Sequence, residues 1–487
     1  MSPSLATVVF AMGIAGLFVL DRDPEARTSK ALWIPVLWLL IIGSRPVSQW
    51  LQMGPVVDSS DAALDGSPLD ALVFGILMSA GLVVLFTRGQ QVRKMLRSNG
   101  PLILFFLYCG ISVLWSDFPF VAFKHWTKGV ADLLMILIVL TEIDASAAIK
   151  RLLARMGFLL LPISLLLIKY YEDLGRGYDR WDGTLRYTGV TTNKNTLGVI
   201  CLVSGLGALW RFIEVYRNRK SAVRTKQLIA QGFLAALALW LLWLTNSMTS
   251  LACFAMAGSL IVMTNARAVS RRRGLIHVLV GTLLIIAFSP LFLALGSGFV
   301  QMLGRDPTLT GRTEIWSLVL SLAGNPFLGT GYESFWLGER LEKASSAFYY
   351  TLNEAHNGYL EVYLNLGWVG IAALATIMVA GYRDILRSIR QGQDAAKVRL
   401  AFFFVALSYS VTEAGFRMMS PTWILFLLAV TAIPTVPISQ VASEWYAEPW
   451  ELRPTTANPV EAKANESIPT DSNHRPSGRS KTDAQYC

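Results

Sequence analysis

The chain has 487 residues, 53% of them hydrophobic and 16% charged, with a formal net charge of +10. So much apolar surface with so little charge excludes an ordinary soluble domain, and the lack of strand-length polar–apolar alternation disfavours a transmembrane barrel. The positive charge would suit a nucleic-acid binder, but its distribution along the chain excludes that class as well.

Apolar runs of roughly 17–25 residues, the length that crosses a bilayer core as a helix, recur through most of the chain. In order they are 4–20, 31–49, 70–87, 101–116, 126–141, 151–169, 195–211, 228–245, 249–265, 275–297, 362–382, 400–416 and 421–438. That makes about twelve or thirteen spans, two of them ambiguous. The expected fold class is all-α: a polytopic transmembrane helical bundle over residues 1–440, with a long outer loop at 298–362 between two late spans. Residues 441–487 place Pro454, Pro459, Pro469 and Pro476 among Ser, Thr, Asn and mixed charges, which predicts a disordered polar tail.

Lys and Arg collect in alternate connections. Arg22, Arg27 and Lys30 follow the first span; Arg88, Arg93, Lys94 and Arg97 form the next group; Lys150, Arg151 and Arg155, then Arg211 to Lys226, Arg267 to Arg273 and Arg383 to Arg399 complete the series. This is the positive-inside signature, and it makes those connections cytoplasmic. No basic residue precedes the first span, so the N-terminus is expected outside and the span is not a cleaved signal peptide. With thirteen spans the C-terminus is cytoplasmic. Cys109, Cys201 and Cys253 lie in apolar runs and Cys487 in the tail, with no disulfide framework or metal spacing.

Basic residues on the outer side are the informative ones, because insertion selects against them. Arg176, Arg180, Arg186 and Lys194 occupy the connection from Lys169 to Asn195; Arg305, Arg312, Arg340, Lys343 and His356 occupy the longer one. Any one arginine is as readily a solvated charge paired with Asp173, Asp179, Asp182, Glu314, Glu333 or Glu339. Together with Trp181, Tyr187, Trp316, Tyr332, Trp336, Tyr349 and Tyr350 they suit an anionic, sugar-bearing ligand. Arginine grips phosphate with a planar fork and aromatic rings stack on sugars, although most such rings anchor a membrane interface.

Two helix starts sharpen this. In GVTTNKNTLG a helix is expected near Lys194, capped by Thr191, Thr192 or Asn193, with outward N–H groups that attract anions. In LTGRTEIW, Thr310 or Gly311 caps a helix whose first turn holds Arg312, a cation opposing the dipole unless an anion, or Glu314 or Asp306, engages it. Among the four histidines, His125, His277 and His474 lie in poor settings. His356, in NEAHNGYLEVYLNLGWVG, is the candidate general base, oriented by Glu354 or Asn357; a lone histidine is more often structural.

RYTGVTTNKNTLG, LTGRTEIW with NPFLGTGYESFW, and EAHNGYLEVYLNLGWVG, in this order and between membrane spans, resemble the O-antigen ligase and polymerase superfamily, and within it the exopolysaccharide production proteins of the ExoQ kind. SRPVSQW at 44–50 and LWSDFP at 114–119 support the resemblance, which covers about residues 30–430. It implies a glycosyltransferase of the bacterial inner membrane that moves glycan, without metal or other cofactor, from an undecaprenyl diphosphate carrier to a sugar hydroxyl at the periplasmic face. Implied partners are the undecaprenyl diphosphate-linked oligosaccharide, membrane lipids, and other polysaccharide assembly and export proteins. Carried over residue by residue, Arg186 and Arg312 hold the diphosphate, with Lys194 and Arg45 as lesser candidates. His356 deprotonates or orients the acceptor hydroxyl, Asn357 and Tyr359 shape its pocket, and Asn193, Glu314 and Tyr332 complete the substrate-binding set.

Developing negative charge on a departing lipid diphosphate can be met by arginines without a metal, and no outer carboxylate cluster has metal-ligand spacing. The one D-x-D, Asp21-Arg22-Asp23, sits in an expected cytoplasmic turn and Asp58, Asp61, Asp65 and Asp70 in a solvated loop. The main expectation is a polymerase joining lipid-linked repeat units into exopolysaccharide. Its alternatives are a ligase transferring glycan to lipid A-core or protein, a lipid-linked sugar flippase, which would carry its charges near the midplane, and a non-catalytic export scaffold.

Overall fold

The computed structural model describes residues 1–23, 27–52, 67–178, 183–218, 223–270, 272–293, 312–348 and 352–434. The expected tail, the cap at Thr310–Gly311, Arg180, Trp181, Arg305, Tyr349 and Tyr350 lie outside them.

Among the described residues each of the thirteen expected runs overlaps a helix. In chain order the helices of ten residues or more are α1 (Pro3–Leu20), α2 (Trp33–Ile42), α3 (Pro68–Thr87), α4 (Gly89–Ser98), α5 (Gly100–Ile111), α6 (Pro119–Leu140), α7 (Ala145–Tyr170), α8 (Lys194–Arg217), α9 (Arg224–Leu244), α10 (Met248–Asn265), α11 (Arg273–Leu293), α12 (Arg312–Ser321), α13 (Glu339–Phe348), α14 (Gly358–Arg390), α15 (Ala395–Tyr409) and α16 (Pro421–Val430). Among the described residues seven are long and apolar enough to cross a membrane: α1, α3, α7, α8, α9, α10 and α14, or eight if the bent pair Gly89–Ser98 and Gly100–Trp115 is one span. The chain is thus a multi-pass helical membrane protein.

Several expected spans overran their helices. The run 31–49 breaks at Gly43, where a Cβ would meet Ile200 at 2.8 Å; the run 400–416 stops at Tyr409; and α16 has ten residues. Ten residues rise about 15 Å, half the hydrocarbon core. Composition misplaced these ends because the connection 410–420 mixes Val411, Phe416, Met418 and Met419 with its polar residues and is held against the bundle, where irregular backbone is tolerated.

Burial separates the bundle from its surroundings. In α7 and α8, 72% and 78% of the span is buried, against 11% in α1 and α3, which therefore turn their side chains to lipid. The basic connections gather at one end of α7 and α8. There Lys150 pairs with Glu214, Arg211 with Glu214 at 3.2 Å and Asp23 at 3.5 Å, and Arg88 nearby with Glu142 at 2.6 Å. Asp21 accepts a 2.8 Å hydrogen bond from Gln231, so the D-x-D ties helices together. The other end of α7, about 39 Å away for 26 residues, carries Lys169 and the chain leading to Lys194.

That connection, expected on the outer side, is not all loop. It holds a two-stranded antiparallel hairpin, β1 (Arg176–Tyr178) and β2 (Leu185–Tyr187), with Gly177 opposite Arg186. The longer connection carries α12 and α13 over a small core of its own, built from Ile315, Val319, Phe335, Trp336, Leu341 and Leu352. Its NPFLGTG stretch clamps a break in α14. At Gly367 (φ +63°) a Cβ would lie 2.2 Å from the Phe327 carbonyl oxygen, so no other residue fits without rearrangement. The backbone groups freed by the break are satisfied by the loop: Thr330 donates to Leu364 O at 3.1 Å, Gly331 to Asn365 O at 2.9 Å, and Trp368 N to Pro326 O at 2.9 Å.

Candidate functional site

A cavity of about 990 Å³ opens where three connections converge: the ends of α2 and the hairpin, the segment before α14, and the segment between α15 and α16. Arg186, Thr188, Thr192, Asn193, Lys194, Asn195, Glu354, His356, Glu413 and Arg417 supply its polar lining.

One wall is the start of α8. Asn193 has extended backbone (φ −146°), and its carboxamide oxygen accepts from Thr196 N at 2.8 Å and the Thr196 hydroxyl at 3.0 Å, an N-cap that aims the free N–H groups of the first turn at the cavity. The preceding turn is fixed by Gly189 (φ +55°), whose missing Cβ would strike Ser164 at 2.7 Å. It is fixed also by Arg45, which donates to Thr191 O at 3.2 Å and to Leu174 O. Arg45 is therefore a strap across the turn and does not line the cavity. Thr188 does line it, and its hydroxyl is buried without a hydrogen-bond partner among the described residues. That hydroxyl is itself closed off from the cavity, so it is the helix start, with Lys194 and Arg186 on the same lining, that has the charge and N–H groups to suit an anion.

The opposite wall holds the ionisable cluster. His356 has a left-handed backbone (φ +49°), one residue before Asn357 caps α14 by accepting from Tyr359 N and Leu360 N, each at 3.0 Å. The capping Asn357 also donates to Val411 O at 3.3 Å, and Glu361 on the first turn of α14 accepts from Ala355 N and from Trp336 Nε1 at 2.9 Å. These bonds fix the imidazole's position. Its Nδ1 lies 2.9 Å from Glu354 and 3.4 Å from Glu413. The second oxygen of Glu413 accepts from Arg312 at 3.0 Å.

Desolvation by itself would lower the His356 pKa, but hydrogen bonds and charges from Glu354 and Glu413 outweigh it and raise the value to about 10. The Glu354 carboxyl is lowered: burial would raise it, and His356, Arg417 and Arg312 more than compensate. The two carboxylates favour the charged imidazole, a setting that runs against the expectation of a neutral ring.

The ten residues singled out in the sequence divide cleanly. His356, Arg186, Lys194 and Asn193 line one cavity. Arg312 stands behind it, paired with Glu413 rather than with Glu314, while Asp306 lies outside the described residues. Arg45, Asn357 and Tyr359 hold backbone in place, the last donating to Leu407 O at 3.0 Å. Glu314 is exposed on α12, and Tyr332 is buried against Gly129 of α6, so neither reaches the cavity.

Sequence reasoning missed Thr188, Glu413 and Arg417. Glu413 was hidden inside the expected span 400–416, where an ionisable residue should itself have signalled function. Arg417 lines the cavity and donates to Glu333 at 3.3 Å and to Asn353 O at 2.9 Å, next to Glu354.

Glu354, His356 and Glu413 present ligand atoms within 4.8 Å of one another, the spacing a cation needs. Arg312 and the protonated imidazole already balance both carboxylates, so a metal would have to displace one of these charges.

The O-antigen ligase family matches residues 233–375, which include α12, the NPFLGTG clamp and His356. The exopolysaccharide production protein ExoQ of Rhizobium meliloti (strain 1021) is 24% identical over 337 residues, covering 67% of this chain and 75% of that relative. By fold, by the site its ordered motifs build and by these two matches, the chain resembles the O-antigen ligase and polymerase superfamily and, within it, exopolysaccharide production proteins of the ExoQ kind.

Proposed function

We infer that the protein is a polysaccharide polymerase which transfers glycan from a polyprenyl diphosphate carrier to a sugar hydroxyl of a lipid-linked repeat unit, at the periplasmic face of the bacterial inner membrane. The observation that carries this is the cavity itself, where an anion receptacle at the α8 start faces an imidazolium–carboxylate cluster. A lipid diphosphate has the charge to fill the receptacle, with Arg186 and Lys194 beside it, and transfer leaves that diphosphate more negative. Fixed cations and helix N–H groups stabilise such charge without a metal.

Two observations support this sidedness. The cavity lies at the end of α7 and α8 opposite the basic connections, and basic connections mark the cytoplasm. A polyprenyl tail suits a cavity set among membrane helices, with Ile42, Val199 and Pro421 on its apolar side. The similarity to an exopolysaccharide production protein favours a repeat-unit acceptor over lipid A-core or protein. A flippase is disfavoured because the charges gather at one end and not along a midplane path.

Purified protein given a lipid diphosphate repeat unit in excess chelator should form longer lipid-linked glycan, and His356→Ala should slow this by roughly a hundredfold through loss of a transition-state cation. Substrate crossing liposomes without any new glycosidic bond would point to a flippase instead.

A further inference from the structure

We propose that α4 is an amphipathic helix that lies on the membrane surface and binds the headgroups of acidic phospholipids through Arg93, Lys94 and Arg97, at the end of the bundle that carries the basic connections.

The sequence GQQVRKMLRS divides into two faces at helical spacing. Val92, Met95 and Leu96 turn inward, Met95 buried and the other two packed against the main core. Gln90, Arg93, Lys94 and Arg97, spaced i, i+3, i+4 and i+7, form the opposite stripe, and all four are exposed. α4 makes an angle of 90° with the helical segment that follows it, Gly100–Trp115. With that segment crossing the bilayer, α4 runs along its surface, the position of an interfacial amphipathic helix.

Both ends of α4 are pinned. Before it, Arg88 reaches Glu142 at 2.6 Å and donates to Ile138 O at 3.0 Å, at the end of α6. After it, Asn99 donates to Ala432 O at 3.0 Å and accepts from Ala432 N at 2.7 Å, just beyond α16. The helix is therefore held in place without using the charges of its stripe. Arg93, Lys94 and Arg97 make no ion pair or hydrogen bond among the described residues. Like charges three and four residues apart repel one another, and the helix dipole favours only Arg97, in the last turn. An anionic surface relieves that repulsion. A row of cations along an open face suits phosphates arrayed in a plane, which arginine and lysine side chains both bind.

The test places a bimane fluorophore on Gln90→Cys, in full-length protein whose Cys487 is replaced by Ser; Cys109, Cys201 and Cys253 are buried. Detergent micelles carrying the protein are titrated with phosphatidylglycerol or with phosphatidylcholine, at about 50 mM and about 500 mM salt. The expected result is a saturable fluorescence change with phosphatidylglycerol, weakened at the higher salt, and none with phosphatidylcholine. Each basic side chain near an anionic lipid surface adds about fivefold to binding. Combining Arg93→Gln, Lys94→Gln and Arg97→Gln should therefore weaken phosphatidylglycerol binding by about tenfold or more, at an unchanged melting temperature that confirms folding. An equal response to the two lipids, or a triple variant within about twofold of the parent, would overturn the proposal and leave the stripe to an acidic protein partner. A response reproduced by inorganic phosphate alone would overturn it in favour of a soluble anion.

Discussion

At His356 a single ring edge faces two acids, and this ties the protonation of the site to its stability. The unfolded value of about 6.5 rises to about 10 on folding, because Glu354 and Glu413 favour the charged ring despite its burial. A pKa raised by folding stabilises fully below the unfolded value and fades as pH rises through the folded one. The melting-temperature gap between wild type and His356→Gln in detergent should therefore be widest near pH 6 and close towards pH 10. A gap that widened over that interval would show that the ring is neutral when folded. Residue identity in the sequence was enough to find Arg186, Lys194, Asn193 and His356, because cations and a helix start on the outer side defy the insertion bias. It could not tell the strap Arg45 from a ligand, since the two differ only in where the guanidinium points.

Among the elements, α14 shows best how the motif strings become structure. Gly367 lets the helix break, and Thr330, Gly331, Pro326 and Phe327 saturate the exposed backbone groups, so NPFLGTG and NLGWVG form one joint. The joint at Gly367 sits nine residues after Gly358, where α14 begins beside His356. Gly367→Ala would meet the Phe327 carbonyl at 2.2 Å in a left-handed conformation, at a cost of about 3 kcal/mol. A lower melting temperature is expected, together with reduced transfer as the His356 segment shifts. An unchanged melting curve would mean that the joint bears no strain. Helix existence was legible throughout because long apolar runs leave few alternatives in a bilayer. Helix ends were not, since the segment 410–420 has enough apolar residues to extend a span but folds as a loop, and the hairpin of β1 and β2 is too short to show a period.

For the whole molecule, two connections far apart in sequence share one cavity, at the end of the bundle opposite the basic loops. Charge asymmetry in the sequence separated the basic end from the other, but not that both connections converge with a third, the Glu413 segment, which only packing reveals. The central claim is that this convergence lies outside the membrane, where a lipid-borne diphosphate can be held. Its most direct measurement uses cells whose Cys487 is replaced by Ser, with single exposed cysteines at Tyr178→Cys in the hairpin, Thr313→Cys in α12 and Gln391→Cys in a basic connection. A membrane-impermeant maleimide applied to intact spheroplasts should label the first two and spare the third until the membrane is opened. Labelling of Tyr178→Cys or Thr313→Cys only after permeabilisation would contradict the account.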